Sequence, residues 1–268
     1  MTTLDALLAD LRAENAELDA LVAGLDPVGW ARPTPAEGWT IAHQIAHLAW
    51  TDGWTVLSAR DPDGFPAALV RTFTPGADPI AEGAAAGAAE PPAGLLSRWR
   101  AGREEVLAAL GAAPSDVRLP WFGPPMKPAS MATARLMETW AHGQDVADAL
   151  GTTRLPSARL RHVAHLGVRT MGFAFALHGR PAPPAPVRIE LTGPAGELWT
   201  WGPEEAADRI SGPALDFCQL VTQRRHPADL ALSVSGATAL AWLPIAQVFA
   251  GPPGKGREPE QPAPESGR

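Results

Sequence analysis

Tyrosine is absent from the 268-residue chain, cysteine occurs once, and lysine supplies only two (Lys127 and Lys255) of the 22 basic residues. Without a phenol, acid–base chemistry falls to His, Asp, Glu, Arg, Ser, the lone thiol or a metal ion. One cysteine, Cys218, excludes an intrachain disulfide, and a chain this long builds its core without one. Positive charge is in deficit: 22 Lys and Arg against 29 Asp and Glu leave a formal net charge of −7. A nucleic-acid binder carries the opposite sign, so no nucleic-acid partner is expected. No stretch approaches the roughly 18 consecutive apolar residues of a membrane span. The start of the chain, Met1 to Asp10, carries acids where a secretory signal carries bases. A cytoplasmic location with no membrane partner is the expectation.

What is present is first helical and then mixed. Residues 3–25 place Leu4, Leu7, Leu8, Leu11, Leu18, Leu21, Val22 and Leu25 on one stripe, and Pro27 and Gly29 end it. Thr40 is an N-cap for a second helix over about 41–60. A Gly-, Pro- and Ala-rich connection with one helical piece fills 61–94, and Leu95–Leu110 is helical again. A Pro-rich loop at 119–128 precedes a fourth helix, Ser130–Leu150, with Gly151 as its C-cap. A fifth helix covers about 156–178, and the run Arg180-Pro-Ala-Pro-Pro-Ala-Pro reads as a stiff linker. Beyond it, Val187–Leu191 alternates like a strand and Leu198–Trp201 follows as a second. A third strand is expected around Ile210, a helix over Pro213–Gln223, a strand over Leu230–Val234 and a helix over Ala237–Phe249. From Gly251 the chain has little to bury, so 251–268 is expected to be a disordered tail. The predicted class is α+β: a helical bundle over 1–180, then a small α/β domain over 186–250.

Two helices carry candidate chemistry. Glu138 and His142 stand four apart on the fourth helix and so share a face. The same spacing also occurs in solvated ion pairs. On the second helix, His47 sits within Ile45-Ala-His-Leu-Ala-Trp50, on or near an apolar face, either as a hydrogen-bonded core histidine or as a ligand. Buried polar groups need partners, and one shared ion would satisfy His47, Glu138 and His142 together. Three protein ligands leave a coordination position open, which marks a catalytic more than a structural centre. His43 lies close to the helix start and is placed in a supporting role. Asp145, three residues after His142, is a candidate to orient that imidazole or to bind substrate; an ordinary helix acid would look the same.

Gly38-Trp-Thr with His47-Leu, followed by Glu138-Thr-Trp-Ala-His142-Gly-Gln-Asp145, resembles the DinB-like superfamily, and within it the mycothiol-dependent maleylpyruvate isomerase family. The resemblance covers nearly the whole chain. It implies an up-and-down metal-binding bundle followed by a small α/β domain, with His47, Glu138 and His142 holding a divalent metal. Zinc is the first choice; iron, nickel and cobalt are the others. Such a Lewis-acidic centre lowers the pKa of a bound water or thiol and polarises a carbonyl. The resemblance further implies mycothiol as cosubstrate and an arginine near the end of the later helix that holds a substrate carboxylate. Arg224 is the better match, with Arg225 its near alternative. The helix end reads Thr222-Gln-Arg-Arg-His where the family tends to have Trp-Gly-Arg. The Ala, Gly, Pro and Arg bias agrees with an actinobacterial source, where mycothiol is the available thiol.

The remaining residues read as structural. Cys218 lies between Phe217 and Leu220 with no base nearby in sequence. Asp52 is off the His47 face, and His162, His165 and His178 lack a carboxylate at ligand spacing. The tryptophans at 50, 54, 99, 121 and 140 fit a core, although Trp121-Phe122 also suits a pocket mouth. The leading expectation is a monomeric or homodimeric enzyme that activates a small thiol, with a small organic electrophile as substrate, for transfer or isomerisation. Two rivals stand beside it: a thiol-independent metal-dependent cyclase or lyase, and a non-catalytic metal- and ligand-binding protein.

Overall fold

A computed structural model describes residues 3–260. By internal contact the chain divides into two compact units, Met1–Arg154 and Leu155–Arg268.

In the first unit the helices start where the sequence offers caps. Thr3 accepts from the Ala6 N–H to open α1 (Leu4–Val22), and Asp26 accepts from the Gly29 N–H to open the short α2 (Pro27–Trp30). At the start of α3 (Ile41–Arg60), the Thr40 N–H donates to His43 Nδ1 at 3.3 Å. His43 therefore closes its own helix end. The connection predicted over 61–94 holds two helices, α4 (Phe65–Thr72) and α5 (Pro79–Ala88), each with proline in its first turn. After α6 (Pro92–Ala112) comes α7 (Pro128–Leu150), which ends on Gly151 in the left-handed region at φ +66°. Helix α3 packs on α6 and α7, and α1 packs on the same two. These four enclose a core that includes Leu18, Ile41, Ile45, Leu48, Leu95 and Trp99. Each large apolar side chain buried there contributes about 1.5–3 kcal/mol.

The second unit comprises α8 (Leu160–Arg169), α9 (Met171–Leu177), β1 (Val187–Thr192), β2 (Leu198–Trp201), β3 (Asp208–Pro213), α10 (Ala214–Val221), β4 (Ser233–Ser235) and α11 (Ala237–Trp242). The sheet order is β2-β1-β3-β4, with β1 and β3 parallel and both outer pairs antiparallel. Alternation along β1 buries Val187, Ile189 and Leu191. Buried Asp208 accepts from the N–H groups of Thr238 and Ala239, tying β3 to the first turn of α11. The overall class is α+β. Among the described residues no helix is long and apolar enough to cross a membrane.

The strand expected over Leu230–Val234 is the shorter, later β4, and the helix expected over Ala237–Phe249 stops at Trp242. Three further boundaries differ from the sequence expectation. The seam lies at Arg154/Leu155 rather than near residue 180, because α8 packs on α10. A Cβ placed on Gly167 would lie 2.8 Å from Val221 Cγ2, so glycine permits this approach. The fifth helix is also two, divided at Thr170. Third, residues 251–260 of the tail are held by hydrogen bonds to Gln247 and Asp229, while 261–268 lie outside the described residues.

Cys218 is fully buried, with its thiol directed at the Leu160 carbonyl (3.4 Å). Burial pushes its pKa well above the ordinary value. A disulfide reagent such as Ellman's is therefore expected to leave the native protein unlabelled and to titrate one thiol on unfolding. Fast labelling of native protein would contradict this burial.

Candidate metal centre

Helices α3 and α7 lie side by side in the first unit and bring His47, Glu138 and His142 together. Each offers a ligand atom, and these atoms lie within 4.8 Å of one another. His47 Nε2 is 3.4 Å and His142 Nε2 is 3.2 Å from the same oxygen, Glu138 Oε2. Bonds of about 2.0–2.1 Å at tetrahedral angles around zinc place neighbouring ligand atoms about 3.3 Å apart. The spacing suits one small ion.

Proton accounting points the same way. The Thr34 hydroxyl donates to the Trp39 carbonyl at 2.9 Å, so its oxygen accepts from the Gln44 side-chain amide at 2.8 Å. That fixes the Gln44 carboxamide with its oxygen on His142 Nδ1, which must donate. A neutral His142 then carries its lone pair on Nε2, aimed at the Glu138 carboxylate. Lone pair and anion repel unless a cation lies between them or the ring is protonated. His47 Nδ1 is buried without a hydrogen-bond partner. The donor set therefore fits a divalent ion held by two imidazoles and one carboxylate. Burial acts to raise the Glu138 pKa, but the adjoining His142 and His47 rings outweigh it and hold the carboxyl well below the usual range.

Two residues of this network, Gln44 and Thr34, were not singled out in the sequence, and a third, Trp39, entered only through the Gly38-Trp-Thr motif. The Trp39 indole stacks on His142 (6.1 Å between centroids, 16° between planes) and lies 5.4 Å from the His47 ring. Gln44 stands one turn before His47 and is fully buried, a spacing that flags it in retrospect. Asp145 is buried on α7, one turn beyond His142, whose Nδ1 bonds Gln44. Asp52 is buried against Arg135 of α7, Oδ1 to Nε at 3.1 Å. Trp50 and Trp54, one and two turns beyond His47, join Phe65, Phe73, Trp121 and Phe122 in an aromatic cluster.

In the second unit, Arg224 closes the end of α10. Its N–H bonds Gln219 O and the Gln223 N–H bonds Leu220 O, with Gln223 at φ +56°. This is the left-handed helix stop that usually takes glycine. Here a glutamine takes it, and its side-chain amide donates to the Ala246 carbonyl at 3.1 Å. His165 accepts from the Trp201 indole at 3.2 Å.

Comparison with known proteins agrees with this architecture. Residues 11–147 match the family model described as "Mycothiol maleylpyruvate isomerase N-terminal domain", and residues 183–234 match one described as "Wyosine base formation". The chain is 53% identical over 250 residues to uncharacterized protein Rv0036c of Mycobacterium tuberculosis, covering 93% of this chain and 97% of the relative. The counterpart in strain CDC 1551, uncharacterized protein MT0041, matches equally. Among solved structures, the mycothiol-dependent maleylpyruvate isomerase aligns with a TM-score of 0.62 at 17% identity, covering 89% of this chain and 94% of the other. A histidine-to-alanine mutant of that isomerase aligns with a TM-score of 0.59. At this identity the likeness is one of fold.

Proposed function

Because this chain belongs to the family of the mycothiol maleylpyruvate isomerase N-terminal domain, we propose that it is a metal-dependent enzyme acting on a small organic electrophile. The cosubstrate is a low-molecular-weight thiol, mycothiol, and the reaction is a transfer or an isomerisation. The observation that carries this is the convergence of His47, Glu138 and His142, with the His142 tautomer set by Gln44. A divalent ion, zinc by donor chemistry, would lower the pKa of a bound thiol and polarise a carbonyl.

The chain's own residues have separate tasks. Glu138 supplies negative charge and stays ionised through its two imidazole contacts. Gln44 keeps the His142 ring turned with Nε2 toward Glu138. Trp39 covers both imidazoles and limits water beside them. Trp50 and Phe122, stacked at 6.0 Å, offer a polarisable apolar wall on the same side of α3 as His47. Asp145 is assigned a supporting charge one turn beyond His142. Arg224 is assigned the substrate carboxylate, for which a guanidinium provides a two-pronged donor.

Thiol use is tested directly. Mycothiol added to cobalt-substituted protein is expected to produce a new charge-transfer band in the near ultraviolet and to shift the visible bands. An unchanged spectrum at millimolar thiol would favour a thiol-independent cyclase or lyase.

A further inference from the structure

Trp30 and Trp99 belong to the core of the first unit. Six other rings of that unit gather outside this core. They are Trp50 and Trp54 of α3, Phe65 of α4, Phe73 just after it, and Trp121 and Phe122 of the Pro-rich loop. Phe122 is their hub: the ring centroids of the other five lie 4.6–6.1 Å from its own. Burial is graded across the group. Phe65 is 1% exposed and Trp54 9%, while Trp50, Phe73, Trp121 and Phe122 are only half-buried. A closed floor carries an open rim.

The rim is held from several sides. Leu119 and Met126 exchange N–H···O bonds of 2.8 and 3.0 Å, closing the loop that carries Trp121 and Phe122. The Ser58 hydroxyl of α3 donates to the Pro120 carbonyl at 2.6 Å and pins that loop to the helix. A Cβ on Gly83 would lie 2.5 Å from Trp50 Cδ1, so α5 backs one edge of the Trp50 ring. His47, Trp50 and Trp54 stand at i, i+3 and i+7 and share one side of α3. The aromatic surface therefore begins one turn from a proposed metal ligand. A buried tryptophan usually gives its N–H a partner. The Trp54 indole N–H has no acceptor among the described residues.

We propose that this cluster is the recognition wall for an electrophile that carries an aromatic ring, an inference that rests on the metal-dependent reading above and narrows its substrate class. Four half-buried rings leave apolar area in water, and a flat ring packed against them removes it. The wall is held before binding, so little ordering is spent on forming it. A small, strongly hydrated substrate would gain nothing from six rings beside the metal ligands. The Trp54 N–H supplies one directional donor for a polar substituent on the same molecule.

Hydroxamates test this without knowledge of the reaction, because their two oxygens chelate zinc while the substituent is varied. The zinc-loaded full-length protein is titrated calorimetrically with acetohydroxamate, cyclohexanecarbohydroxamate and benzohydroxamate. Benzohydroxamate is expected to bind at least about tenfold more tightly than acetohydroxamate, and more tightly than the cyclohexyl compound. Phe122→Leu and Trp50→Leu, which put aliphatic side chains in place of rings, should each weaken benzohydroxamate at least about threefold. Acetohydroxamate should stay within about twofold of the parent in both, which shows each variant folded around its metal. Failure to take up zinc, or no hydroxamate binding to the zinc-loaded protein, would overturn the metal-dependent reading and this assignment with it. Acetohydroxamate binding without a gain from the phenyl group would overturn the assignment alone. So would a phenyl gain that survives intact in both variants, or one that the cyclohexyl compound equals.

Discussion

His47→Ala and Glu138→Ala are each expected to purify with less than about a tenth of the parent's divalent metal, as read by elemental analysis. Each removes one of the three proposed ligands, and in such centres the supporting groups alone are worth about 10–100-fold in affinity. Gln44→Ala tests that outer support and should weaken metal binding by about that factor while leaving all three ligands in place. Its cause is specific: without the Gln44 oxygen, His142 is no longer held as the Nδ1–H tautomer. Turnover should fall with metal content in all three variants. Full metal content in both ligand variants would refute the site, whatever happened to activity. Circular dichroism belongs beside the metal assay, because these side chains bridge α3 and α7 and a loss of fold would also lose metal.

Arg135→Leu is expected to destabilise the first unit by about 3–5 kcal/mol, the usual cost of stripping the partner from a buried charge. Arg135 is 2% exposed and Asp52 5%, so little solvent reaches the stranded carboxylate. At about 2–4 °C per kcal/mol for a unit of this size, Tm should drop by roughly 10 °C. The pH dependence fixes the cause. Burial raises the Asp52 pKa and Arg135 opposes that rise, so removing Arg135 raises it further. A carboxyl whose folded pKa exceeds its unfolded value binds more protons in the native state, so stability falls as pH rises through the folded pKa. The penalty in Arg135→Leu should accordingly be largest at neutral pH and shrink toward acid. The double variant Asp52→Leu/Arg135→Leu should recover most of the loss, since an apolar pair can replace a buried ion pair at little cost. A single variant that melts like the parent would show that the pair is solvated.

Periodicity made the long helices legible. Helix α3 spans Ile41–Arg60, matching the 41–60 expected, and α7 ends at Gly151 as its glycine implied. The i, i+4 spacing placed Glu138 and His142 on one face, and the apolar setting of His47 pointed it inward. Gln44 was passed over because glutamine has no signature of its own. Its role depends on Thr34, ten residues away, and on His142, ninety-eight away. The Asp52–Arg135 pair spans eighty-three residues and was hidden for the same reason. The seam was expected near residue 180 because proline content there looks like a linker. The division by contact, between Arg154 and Leu155, follows what α8 packs against, which no local pattern records. The order of residues 251–260 was missed because it rests on backbone hydrogen bonds to Gln247 rather than on apolar burial.

The division at Arg154/Leu155 carries an evolutionary consequence. His47, Glu138, His142, Gln44 and Trp39 are all encoded before it, and Arg224 after it. The two family matches, 11–147 and 183–234, also fall on either side. A recombination event within the intervening codons would transmit the complete ligand set intact while exchanging everything encoded downstream. The proposed metal centre and the segment that follows it are thus separable as units of inheritance.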